Sequence, residues 1–173
     1  MKKLVAVFIS MLILAGCGGS SNETTAASSS GGGLSGARPT AAVSGYTFKT
    51  GGTVIAMNAE AQPLIEAIGG DPKYFESASC AFEGLDKEYT YSGFVLKTYP
   101  VDDKDYVNSV TLYDDSVSTP EGITIGSSLV DVETAYGAGG TATVKEYTMD
   151  KSKLLILLED DSVTSIQYIA ITE

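Results

Sequence analysis

The sequence predicts an α+β domain built from two tandem helix-plus-antiparallel-meander repeats, and three observations carry that reading. Ile55-Ala56-Met57-Asn58 followed by Leu64, Ala67 and Ile68-Gly69 parallels Ile123-Thr124-Ile125-Gly126 followed by Val132, Ala135 and Tyr136-Gly137, at a constant offset of 68. Self-similarity at fixed spacing is the signature of a repeated unit. Val107-Asn108-Ser109-Val110 parallels Val163-Thr164-Ser165-Ile166 at an offset of 56, the longer middle of the first copy absorbing the difference. Short segments rich in β-branched and aromatic residues, bounded by Gly, Ser and Asp, follow each helical stretch, as strands of a meander do. The copies then occupy about residues 46–118 and 119–173 of one domain, and its 128 residues are enough for one core.

Two segments precede that domain. Residues 1–16 have the pattern of an export signal, with Lys2 and Lys3 ahead of an apolar run over 4–13 that only Ser10 interrupts. The run is too short to span a bilayer, whose core needs about 20 apolar residues. At its end, Leu14-Ala15-Gly16-Cys17 resembles the lipobox of bacterial lipoproteins. The resemblance implies that Cys17 carries a diacylglyceryl group and is the lipidation site, anchoring the mature chain in the cell membrane on its extracytoplasmic side. Residues 17–45 then form a tether. Of the 28 residues between Cys17 and Tyr46, 7 are Gly and 7 Ser, with no apolar periodicity, so this part lacks the means to build a core. A coil of that length reaches roughly 30 Å.

Within the domain, the first helix must start near Ala59 or Glu60, because Pro63 is tolerated only in a first turn, where no N–H donor is needed. It is expected to carry Leu64, Ala67 and Ile68 inward. Ser92-Gly93 between Glu88-Tyr89-Thr90-Tyr91 and Phe94-Val95-Leu96-Lys97 is a two-residue hairpin signal. Its register pairs Tyr91 with Phe94, Tyr89 with Leu96, Thr90 with Val95 and Glu88 with Lys97, whose opposite charges support it. In the second copy Ile123-Thr124-Ile125 predicts a short strand. Ser128-Leu129-Val130-Asp131 is a capping-box-like start and Gly137 a natural stop, with Leu129, Val132, Ala135 and Tyr136 on one face. The continuous apolar run over 154–158 predicts a central strand, joined through Glu159-Asp160-Asp161-Ser162 to a last strand over 163–171.

Ile125-Gly126-Ser127-Ser128, then Val132, then Tyr136-Gly137, resembles the helix signature of the BamE/SmpA outer-membrane assembly lipoproteins. Two such units in tandem resemble the β-lactamase inhibitor protein fold. The resemblance implies one curved sheet with short helices on one face, and protein binding through the open face. It transfers no functional residue. Asn58 stands in the first copy where the second has Gly126, a departure from the signature.

Composition narrows the class of function. The chain has no His and no Trp, and no nucleophile-elbow or HExxH motif, which leaves no Ser–His or Cys–His mechanism. Asp102-Asp103, Asp114-Asp115 and Asp160-Asp161 fall where turns are expected, the ordinary place for Asp. None has the spacing of a calcium loop, and no cofactor or metal is expected. Cleavage before Cys17 removes Lys2 and Lys3 and takes the net charge from −11 to −13, which argues against nucleic acid. Cys80 is then the remaining thiol, and Ser79-Cys80-Ala81-Phe82 predicts that it is buried.

The expected function is therefore non-catalytic binding of an envelope protein or peptide. A wall-polymer or sugar-binding module is the alternative, and a carboxylate-dependent hydrolase a remoter one. If Tyr89, Tyr91, Phe94, Leu96, Val110 and Leu112 face the helices, alternation puts Thr90, Val95, Lys97, Tyr99, Val107, Ser109, Thr111 and Tyr113 on the opposite face. Thr90, Lys97, Tyr99, Ser109, Thr111 and Tyr113 are the candidate binding residues, tyrosine being suited to recognition at low entropic cost.

Overall fold

The computed structural model describes residues 44–172. The export signal, Cys17 and residues 17–43 of the expected tether lie outside the described residues. In chain order the elements are β1 (Thr47–Thr50), β2 (Thr53–Ala56), α1 (Ala61–Ile68), β3 (Lys73–Ala78), β4 (Leu85–Thr90), β5 (Phe94–Val101), β6 (Lys104–Leu112), α2 (Leu129–Tyr136), β7 (Val144–Met149), β8 (Ser152–Glu159) and β9 (Ser162–Ala170). The fold is α+β and mostly antiparallel sheet. β3 to β9 form a seven-stranded sheet in the order β3-β4-β5-β6-β9-β8-β7, and β1 and β2 form a separate two-stranded sheet.

That second sheet corrects the expectation of one sheet. Gly51 and Gly52, at φ of 53° and 87°, close β1 and β2 into a tight hairpin, since only Gly takes such angles freely. A lone hairpin is marginal in water, and this one buries Phe48 and Ile55 completely. The Phe48 ring lies 5.0 Å from Phe94 and 6.0 Å from Tyr168, so the hairpin lies against the main sheet's face.

Cross-strand rows show how that face becomes the core. Tyr89, Leu96, Val110, Tyr168, Leu154 and Tyr147 stand directly opposite one another across six strands. Beside them run Phe94, Leu112, Ile166, Ile156 and Lys145. Leu154, Ile156 and Leu158 are buried whereas Leu157 is exposed. The apolar run thus lies in an interior strand, but only its alternate residues face the core. The hairpin of β4 and β5 has the expected register, with Glu88 and Lys97 paired at 3.0 Å.

Both helices pack on this core. α2 begins as the sequence predicts: Ser128 Oγ accepts from Asp131 N–H at 3.2 Å and the Asp131 carboxylate accepts from Ser128 N–H at 3.1 Å. Val132 is fully buried, with Leu129, Ala135 and Tyr136 packed beside it. α1 starts at Ala61, which places Pro63 in the first turn. Ala67 is exposed and Ile65 half-buried, correcting the expected inward set, because the brief helix turns Leu64, Ile65 and Ile68 to the core.

The segments leading into the helices are tied to the sheet in the same way. Asn58 N–H donates to the Val107 carbonyl and Val107 N–H to that of Ala59, both at 2.9 Å. Gly126 N–H donates to the Val163 carbonyl at 2.8 Å and Val163 N–H to that of Ser127 at 2.9 Å. Asn58 and Gly126 both have left-handed backbones, with φ of 61° and 88°, and Asn is the residue that replaces Gly there at least cost. The strand expected at Ile123 to Ile125 does not form. Pro120 and Gly122 instead make a turn in which Thr119 N–H donates to the Ile123 carbonyl at 2.8 Å, although the Ile123 side chain is buried.

Candidate functional site: the open sheet face and its β3 edge

Among the described residues, neither helix nor hairpin lies on the second face of the seven-stranded sheet. One row across it is Lys73, Thr90, Val95, Thr111, Gln167, Leu155 and Glu146, and the next is Phe75, Glu88, Lys97, Ser109, Ile169, Lys153 and Thr148. Val95, Thr111, Gln167, Leu155 and Ile169 are half-buried, screened chiefly by one another. Among the described residues this face carries the ion pairs of Glu88 with Lys97 at 3.0 Å and of Glu146 with Lys153 at 2.9 Å. The result is a broad patch of short hydroxyl, amide and aliphatic side chains.

Thr90, Lys97 and Thr111 stand on this face as expected, and burial corrects the expectation for Ser109 and Tyr99. Ser109 belongs to the face but is only 6% exposed, wedged between Lys97 and Ile169 on the flanking strands. Tyr99 is 7% exposed because Phe82, from the loop after β3, covers it with ring centroids 4.8 Å apart. Its hydroxyl donates to Asn58 Oδ1 at 2.8 Å, and burial, then neighbouring Tyr106, raises its pKa. Tyr99 is therefore a structural member. Tyr113 lies just beyond β6 and is exposed; its hydroxyl donates to the Tyr91 carbonyl at 2.6 Å and accepts from Gly93 N–H at 3.1 Å. It braces the hairpin turn. Val107, expected outside, is fully buried. Lys97 opposes Ser109 and Thr98 opposes Val107, so Asn108 is an extra residue whose bulge turns Val107 to the core.

Sequence reasoning missed two parts of this surface. Leu155 is hidden by the reading of 154–158 as one apolar run, and Gln167 and Ile169 by a last strand read without faces, although all three alternate with buried neighbours, the sign of a one-faced strand. β3 was not read as a strand at all. All six of its residues are exposed, with Tyr74 at 52% and Phe75 at 63%. Tyr74 donates to the Glu76 carboxylate, which pushes the phenol up to about 12. Between β3 and β5 the open face dips into a cleft of about 180 Å³ whose lining includes Phe75, Asp86, Lys87, Glu88, Lys97 and Asn108. One Asp86 carboxylate oxygen, Oδ1, is buried there without a hydrogen-bond partner among the described residues.

Cys80 is exposed, which corrects the expectation of burial: its loop joins two strands at the sheet's edge, where nothing packs over it. Asp102, Asp160 and Asp161 occupy turns with left-handed backbones, and no group of three or more potential metal-ligating side chains comes together among the described residues. Among these residues, too, no helix is long and apolar enough to cross a membrane. No protein-family model, curated protein or solved structure matches the chain.

Proposed function

We propose that this chain is a lipid-anchored, extracytoplasmic lipoprotein whose domain binds an envelope protein or peptide through the open sheet face, without catalysis. The observation that carries the proposal is the face itself. Five adjoining half-buried residues, Val95, Thr111, Gln167, Leu155 and Ile169, run across the sheet with no element of the domain over them. The β-branched Val95, Thr111 and Ile169 on a hydrogen-bonded sheet lose little entropy when covered, which suits a preformed binding surface. Lipidation at Cys17 rests on the lipobox resemblance, which lies outside the described residues.

The finer architecture belongs to the same reading: two copies of one unit related by duplication, as in the β-lactamase inhibitor protein fold. Its support is that the hydrogen bonds of Asn58 and Ala59 to Val107 recur for Gly126 and Ser127 with Val163, at offsets of 68 and 56. The extra residue Asn108 recurs as Thr164, which Leu157 opposite Ser165 and Leu158 opposite Val163 leave unpaired. The bridge from Glu60 to Tyr106 recurs as that from Ser128 to Ser162. Thr111 and Gln167, equivalent at the offset of 56, face each other directly, so a pseudo-twofold axis runs through the middle of the open face.

The test is affinity capture from an envelope extract with the mature lipoprotein, alongside co-sedimentation with purified wall polymer. A stoichiometric protein partner is the expected result. Sedimentation with wall polymer and no protein partner would favour the polymer-binding alternative, and turnover of that polymer would identify a hydrolase.

A further inference from the structure

We propose that the free edge of β3 accepts an extended, basic peptide segment as an added strand, a deepening that rests on the protein-binding reading above. Tyr91 N–H donates to the Phe94 carbonyl and Ser79 N–H to the Gly84 carbonyl. Because inward-bonded residues alternate along an antiparallel pair, Lys73, Phe75 and Ser77 point their backbone groups at β4. The N–H and C=O groups of Tyr74, Glu76 and Ala78 therefore point away from the sheet, and they take no partner among the described residues. An edge of this kind is a template for another strand. β3 has neither a proline nor a bulge to blunt it.

The opposite edge is capped at one end by contrast. On β7, Thr141 N–H donates to the Val144 carbonyl at 2.7 Å and Val144 N–H donates to Thr141 Oγ1 at 3.1 Å. Within the duplicated plan, β3 and its loop also supply the additional residues of the first copy, where the offset falls from 68 to 56. Insertions on a repeated framework are where binding features are commonly added.

Charge selects the occupant. Lys73 stands at the far end of β3, outside the cleft, and Lys87 and Lys97 beside the edge are already paired, with Asp105 at 2.7 Å and Glu88 at 3.0 Å, whereas Asp86 Oδ1 is buried and unpartnered in the cleft next to Phe75. A lysine or arginine on an added strand, its stem lying over the exposed Phe75 ring, reaches toward that carboxylate. A second copy of this chain fits poorly, because two chains of net charge −11 repel one another overall.

The probe is a ten-residue peptide of alternating threonine and valine with a central arginine, titrated into the full chain in detergent. Its controls carry glutamate in place of the arginine, or N-methyl groups on the amides along one edge. The arginine peptide is expected to bind and to slow hydrogen exchange at Tyr74, Glu76 and Ala78, and the N-methylated peptide to fail. Glu76→Pro removes an outward N–H at a position where an edge strand tolerates proline, and should weaken binding at least about tenfold. Asp86→Asn should narrow the preference for arginine over glutamate. Equal binding of the N-methylated peptide, or exchange protection away from β3, overturns the inference without relying on any variant's folding. Self-association that the peptide displaces overturns it in favour of a second copy. If a captured envelope protein is lost on changing the open face but kept by Glu76→Pro, the edge inference fails and the binding function stands. If no partner is captured at all, the broader reading fails.

Discussion

Lys145 lies in a core row of the sheet, with 5% of its side chain exposed, and its ammonium meets the Glu133 carboxylate of α2 at 2.6 Å. Removing the carboxylate strands a buried cation, so Glu133→Ala should cost roughly 2–3 kcal/mol in urea unfolding. The 40% exposure of Glu133 lets water relieve part of the loss. Adding Lys145→Met should recover most of it, since an apolar replacement removes the unpaired charge. Tyrosines give a second prediction at this scale. Burial first, and then the hydrogen bond to Glu121, raises the pKa of Tyr136, and burial raises that of Tyr168. A folded pKa above the unfolded value of 10.0 means stability that is complete below pH 10 and lost as pH climbs toward the folded values. The melting temperature should therefore fall from about pH 10 upward, in step with phenolate absorbance. Tyr136→Phe should flatten that fall, and an unchanged pH profile in the variant would contradict it.

At the level of elements, what was legible in the sequence was local. The α2 capping box follows from Ser128 and Asp131 three positions apart, and the Ser92-Gly93 hairpin from Gly93 at φ of 85°. Ser128→Ala should cost about 1 kcal/mol. Hydrogen bonds from the Ser128 side chain and backbone lower the Asp131 pKa below 3.8. Its contribution is therefore present above that value and lost as pH falls through the lowered one, and the gap between wild type and Ser128→Ala should shrink in acid melts. What was not legible is set by pairing between distant strands. The Asn108 bulge appears only when β6 is registered against β5, yet it turns Val107 inward. Tyr99 alternates outward as expected but is covered by Phe82, on a loop whose path no local pattern dictates. β3 has no apolar alternation because both its sides are exposed. Of the candidate binding residues, Thr90, Lys97 and Thr111 lie on the open face, while Tyr99 and Ser109 are buried and Tyr113 braces the hairpin turn.

For the whole molecule, the absence of His removes Ser–His and Cys–His mechanisms, and the proposed binding surface draws on both halves of the domain, of which one hairpin makes only half visible. The two halves of the sheet meet where β6 pairs with β9, so Thr111 and Gln167 face each other at the centre of the open face. Anchoring is a separate property. Cys17→Ala should release the chain from membranes or leave it unprocessed, and full membrane retention of a processed variant would contradict the lipid anchor. The open face meets its most direct test in the affinity of a captured envelope partner for the Thr111→Arg, Leu155→Arg double variant. Both side chains are half-buried on that face, so the variant should keep its fold while losing about 2 kcal/mol or more of partner affinity. Undiminished affinity in the folded variant would place the binding site elsewhere and contradict the account.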